Sequence, residues 1–177
     1  MLAIGVAISE VEVEFGRRVE AVLEAQPENL FARSVRASLY ARAGSGDEAR
    51  AQYEQVARAH RRDGRRRFAG LAYRSASDQT TEELQSRVRL LEEAIALRPD
   101  DQIALRELVH ALPMLGRASA AVRAARRLAS LTEHPERAIE ARVIAAQLLE
   151  NEIDDQAGAK REWERVLKIA PESREAL

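Results

Sequence analysis

The chain has 177 residues, 46% of them hydrophobic, which is enough apolar material for one folded domain with a buried core. Lys and Arg total 28 against 29 for Asp and Glu, so no overall basic field draws the chain to nucleic acid or to an anionic membrane. The absence of cysteine excludes disulfides, thiolate nucleophiles and cysteine metal sites, and a composition dominated by Ala, Leu, Arg and Glu with 4% aromatics favours helix in almost every window.

The apolar start "MLAIGVAI" lacks a basic n-region and is far too short to span a bilayer. It reads as a segment docked on the protein's own helices or on another chain. The expected compartment is the cytoplasm, or the periplasm if a targeting segment has been removed. Val11, Phe15, Val19, Val22 and Leu23 then form a helical stripe, so residues 1–27 are read as an N-terminal helix or partial repeat, although "EVEVEFG" also alternates like a strand.

Paired helices follow. Leu30 to Ala43, with Phe31, Val35, Leu39 and Tyr40 at helical spacing, stops at "GSGD", where Gly44 and Gly46 end one helix and Asp47 caps the next, Glu48 to His60. A helix from Arg65 to Ser77 is followed by "SASDQTTEE", in which Thr80 and Glu83 fit a capping box that starts a helix from Thr81 to Arg98. Ile103 to Leu112 meets Pro113, where a lost amide bond should kink or end the helix, and after Gly116 the pattern resumes from Ser119 to Leu131. The last pair is Ile139 to Glu150 and, past "NEIDD", Ala157 to Ile169 with Trp163, Val166 and Ile169 inward; "PESREAL" begins one more turn.

Pro99, Pro135 and Pro171 stand 36 residues apart, Pro27 lies two such steps before Pro99, and the missing beat falls at the Asp63–Gly64 turn. A period of this size signals stacked supersecondary units, here 28–63, 64–99, 100–135 and 136–171 with a truncated C-terminal helix. Each pair is too small to bury its apolar face alone, and stacked neighbours share one core. The ends show no solvating cap helices, as expected of a stretch of a longer solenoid or of one whose ends are covered by another chain, a second copy of this one included.

Within the units, Ala37, Tyr40, Ala49 and Tyr53, then Val109, Leu112, Ala121 and Ala125, then Ala159, Trp163 and Pro171 alternate small and large residues in a pattern that resembles the tetratricopeptide repeat (TPR). The second unit departs from it, with Ser75 at the small position and no clear large residue three further on, and the period exceeds the usual 34, as in related helical-hairpin solenoids. The resemblance implies an all-α, right-handed superhelical solenoid of about four helix-turn-helix repeats plus an N-terminal helix. It also implies a concave groove, lined by the first helix of each pair, that holds a peptide or an amphipathic helix. The groove positions are Phe31, Ser34, Ser38 and Arg42, then Ile103, Arg106, His110 and Met114, then Ala141, Ile144, Leu148 and Glu152, with Tyr73 from the second unit. The family's clamp for chaperone carboxylates needs Lys, Asn and Arg where this chain has Ser, Ile, Glu and Ala, so that ligand class is disfavoured.

Catalysis finds no support. His60, His110 and His134 have no second ligand at helical spacing, the Asp100/Asp101 and Asp154/Asp155 pairs sit where helices start and read as caps, and no phosphate loop or nucleophile motif is present. Neither a cofactor nor a metal is expected. The one strong charge cluster, "RAHRRDGRRR", sets Arg58, Arg61, Arg62, Arg65, Arg66 and Arg67 against Asp63; it reads as a solvated turn or as a patch for an anionic partner. The expectation is a non-enzymatic interaction scaffold, adaptor or assembly factor. Its alternatives are a chaperone resembling the TPR class that serves type III secretion, and a regulatory module holding an anionic ligand on the arginine cluster.

Overall fold

The computed structural model describes residues 2–80 and 83–173, with side chains from residue 12 onward. Its described residues form nine α-helices and no strand: α1 Leu2–Ala25, α2 Leu30–Arg42, α3 Gly46–Arg62, α4 Arg66–Asp78, α5 Leu84–Leu97, α6 Gln102–Ala111, α7 Ala118–Leu131, α8 Pro135–Leu148 and α9 Gln156–Ile169. The chain divides into two compact units, Met1–Leu90 and Leu91–Leu177. In the first, α1 packs on α2, α2 on α3 and α3 on α4; in the second, α6 packs on α7, α7 on α8 and α8 on α9. The N-terminal stripe is helical, and the side chains of "MLAIGVAI" and the final "REAL" lie outside the described residues.

Glycine and capping chemistry set the helix boundaries. Asn29 caps α2 through its Oδ1, which accepts from the Ala32 amide at 3.0 Å, and Asp101 caps α6 by accepting from Ala104 at 3.2 Å. Such caps are worth about 1 kcal/mol each. Gly44, Gly64 and Gly116 all take the left-handed conformation, with φ of 79°, 74° and 68°. After each, the next amide reaches back five residues: Ser45 to the Tyr40 carbonyl at 2.9 Å, Arg65 to His60 at 2.8 Å and Arg117 to Leu112 at 3.0 Å. A β-carbon would strain this backbone, which is why glycine stands there.

Three boundaries differ from the sequence reading. Gly46 does not end a helix but opens α3, where its missing side chain matters because a Cβ would lie 3.2 Å from the Gln79 carbonyl oxygen; the cap residue is Ser45, and Asp47 sits in the first turn, paired with Arg50 at 3.2 Å. The Thr80–Glu83 capping box does not form. The Thr80 hydroxyl is buried and donates backward to the Ala76 carbonyl at 3.0 Å, closing α4, while Glu83 accepts from Ser86 at 2.7 Å and α5 begins at Leu84. Thr81 lies outside the described residues. In the last hairpin α8 begins earlier, at Pro135, whose ring is suited to a first helical position, and it ends in a π-turn over Leu149–Ile153 that Asp154 closes with φ 58°.

The core is built on alanine. Ala37, Ala49, Ala121, Ala125 and Ala159 have no exposed surface, and Val109 and Leu112 almost none, so the small positions of the repeat pattern are interior, whereas of the large ones Leu112 is buried, Tyr40, Tyr53 and Trp163 are half-buried and Pro171 is exposed. Pro113 ends α6 at Ala111 and starts a 3-10 turn over Pro113–Leu115. In α9, however, Ile169 is 41% exposed and Trp163 only half-buried; the inward stripe is Gly158, Ala159, Glu162 and Val166.

Candidate functional site

In the first unit, the starts of α2 and α4 and the end of α3 enclose a cleft of about 600 Å³. Phe31, Phe68, Leu30 and Ala59 supply its apolar surface, Ser34 and His60 its neutral polar groups, and Glu28, Arg62, Asp63 and Arg65 its charged rim. Local helix geometry places the two rings. Ala32 and Ala69 are the inward residues of their turns, so Phe31 and Phe68, each one position earlier, are swung about 100° away from the core. They stay 80% and 59% exposed. Phe68 meets the His60 imidazole at a centroid distance of 5.4 Å and a tilt of 34°. Burial and the neighbouring Arg65 charge pull the His60 pKa below its usual value, with Asp63 opposing them.

The arginine cluster divides by partner. Arg58 donates to Glu54 at 2.6 Å, Arg65 to Asp63 at 2.8 Å, and Arg61 and Arg66 are also engaged. Arg62 and Arg67 pair with no carboxylate among the described residues. The first turn of α4 contains no acidic residue, and its cap residue, Arg65, makes no side-chain cap bond.

In the second unit, Arg106 and His110 on α6 face Ala141 and Ile144 on α8 across a narrow cleft floored by Val109 and Leu128, with Gln102, Thr132, Arg137 and Glu140 at its lips. Four of the groove residues read from the sequence are thus brought together here. Ile103 and Met114 are exposed, Leu148 is half-buried, and Glu152 stands exposed in the π-turn. The first unit scatters its share. Phe31 and Ser34 join the cleft described above, exposed Ser38 hydrogen-bonds Tyr53, and Arg42 forms an ion pair with Glu12 in a separate depression between α1 and α2.

Tyr73 is a correction: at 5% exposure it belongs to the core. It stands eight residues after the α4 cap residue Arg65, as Ala37 follows Asn29 and Val109 follows Asp101, and Ala76 takes the position of Tyr40 and Leu112. The second hairpin has exchanged its large and small residues, a swap hidden from a reading that sought a small residue at Ser75. Sequence reasoning also missed Glu162, whose carboxylate has no exposed surface yet accepts from Arg126 Nε at 2.8 Å, Arg142 Nη1 at 3.1 Å and Arg165 Nη1 at 2.8 Å. Its only signal was an acid on the inward stripe of α9.

Among the described residues no three His, Cys, Asp or Glu side chains converge on a metal-sized site, and no helix is long and apolar enough to cross a membrane. No family model matches the sequence, nor does any curated protein. Consecutive helices packed on one another, with fully buried alanines at recurring positions, define a helical-repeat protein. Its fold is TPR-like: one crystal structure of the MamA protein superposes with a TM-score of 0.65 at 17% identity, covering 93% of this chain and 86% of that one. A second MamA structure gives 0.60 at 18% identity, covering 88% and 86%.

Proposed function

We propose that the chain is a non-enzymatic protein-interaction module that holds a partner's amphipathic helix or peptide against the first helices of its hairpins. The observation that supports this reading is the α6–α8 cleft. Half-buried Ile144 offers apolar surface above the buried Val109, Leu128 and Ala141, while Arg106, His110, Arg137 and Glu140 stand where polar flanks of a helix would lie. Ile103, exposed one helical turn before Arg106, extends the apolar surface. Helical repeats present such faces because their own stacking uses only the opposite sides of each hairpin.

The test is capture of partners from native lysate by wild-type chain and by Ile103→Asp and Ile144→Asp, followed by mass spectrometry. Specific partners should be lost from both variants while helical circular dichroism is unchanged. Partners retained by both would refute the assignment of the groove.

A further inference from the structure

The α2–α3–α4 cleft leaves in water residues that folding usually hides. Two of the chain's three phenylalanines, Phe31 and Phe68, stand exposed on its walls, each immediately before a buried alanine. Their positions are therefore set by the helices that bury Ala32 and Ala69, and the core needs neither ring. The surrounding charges do not all cancel. Of the two acids on the lining, Asp63 pairs with Arg65 at 2.8 Å and Glu28 with Arg33 at 3.5 Å, whereas Arg62 on the rim has no carboxylate partner among the described residues.

We propose that this cleft docks an acidic peptide segment of another protein that carries a bulky apolar side chain. The apolar side chain inserts between Phe31 and Phe68, and an aspartate or glutamate beside it pairs with Arg62, whose guanidinium suits a bidentate carboxylate contact. Charge complementarity selects this occupant. A phosphate backbone brings a charge at every step where the lining offers one unpaired arginine, and a wholly apolar segment would leave that arginine unused. The inference rests on the reading of the chain as an interaction module, but on a different unit and a different partner chemistry.

Fluorescence polarisation of the full chain with short labelled peptides tests it: a central phenylalanine flanked by aspartates, the same peptide with asparagines, and the aspartate peptide with serine in place of phenylalanine. The first should bind saturably and lose affinity with added salt, and the other two should bind at least ~10-fold more weakly. Phe31→Ser and Arg62→Gln should each weaken the first peptide by roughly tenfold without altering circular dichroism. Absence of saturable binding, equal binding of the aspartate and asparagine peptides, or indifference to Phe31→Ser would overturn the proposal. So would tighter binding of labelled oligothymidylate, which assigns the cleft to nucleic acid, or dissociation of a dimer by Phe68→Ser in sedimentation, which assigns it to a second copy. Ile103→Asp and Ile144→Asp serve as the separating control. If they release native partners while the aspartate peptide fails to bind, this inference falls and the α6–α8 groove stands; if the peptide binds and those variants release nothing, the reverse holds.

Discussion

Arg126 on α7 donates its Nε hydrogen to Glu162 on α9 at 2.8 Å, tying a partly exposed guanidinium to a carboxylate that has no surface at all. With Arg142 and Arg165 on the same carboxylate, one acid joins α7, α8 and α9. Removing a buried partner strands the groups around it, so Glu162→Ala should cost about 2–4 kcal/mol in urea denaturation, below the ceiling for fully buried pairs because the arginines reach water. Arg126→Ala, with two other arginines remaining, should cost about 1 kcal/mol or less. A Glu162→Gln variant as stable as wild type would show that the charge contributes nothing.

Two aromatic residues placed in the groove by sequence should separate cleanly in stability. Tyr73 is buried among the alanines of α4, so Tyr73→Ala should destabilise by about 3–5 kcal/mol. Phe31 lies outside the core, and Phe31→Ala should stay within about 0.5 kcal/mol of wild type. Chemical denaturation midpoints at constant slope measure both; similar losses would contradict the register assigned to the second hairpin.

Gly158 is a packing requirement set by a cap. Its amide donates to Asp155 Oδ1 at 2.8 Å, and a Cβ there would come within 2.2 Å of Asp155 Oδ2. Gly158→Ala should therefore cost about 1–2 kcal/mol, the worth of the displaced cap, even though alanine is the better helix former. In an Asp155→Ala background the same substitution should become neutral or stabilising in thermal melts, and a simple sum of the two losses would rule the clash out.

His60 gives the chain a pH dependence of defined sign. Its folded pKa lies below the ordinary value of 6.5, so the unfolded chain takes up the proton first, and stability contributed by neutral His60 is present above about pH 6.5 and declines as pH falls toward the folded value. Melting temperature should drop between about pH 7.5 and about pH 5.5, and His60→Gln should flatten that drop. Arg65→Gln should shrink it as well, by removing a charge that opposes protonation, whereas Asp63→Asn should enlarge it. An unchanged slope in His60→Gln would remove His60 as the source.

Much of this architecture was legible from residues whose effect is local. Pro113 ended α6 as a residue without an amide must, and the alanines at the small positions of the repeat pattern proved to be fully buried, as small residues between packed helices should be. Legibility failed where tertiary contacts decide between equivalent local choices. Thr80 can cap forward or bond backward, and in the fold it is buried and bonds backward to Ala76. Ile169 looked inward by period, yet the buried stripe of α9 runs through Glu162 and Val166, an arrangement that Arg126 on α7, Arg142 on α8 and Arg165 on α9 itself make tolerable by pairing with the acid. For the candidate sites, the α6 and α8 residues were found because the repeat register holds in both helices. The Phe31–Phe68 cleft went unrecognised because its second wall belongs to the hairpin whose register is exchanged.

The left-handed joint at Gly64 is made from backbone alone: one glycine and the return of the Arg65 amide to His60. The same joint lies inside hairpins at Gly44 and Gly116, and at Gly64 it stands in for the proline that marks other boundaries. A corner whose backbone closes without side-chain help leaves nearby surface positions open to selection for something other than folding. Arg62 and Phe68 occupy such positions, so the specificity of this surface can be rewritten by substitution while the frame beneath it is kept.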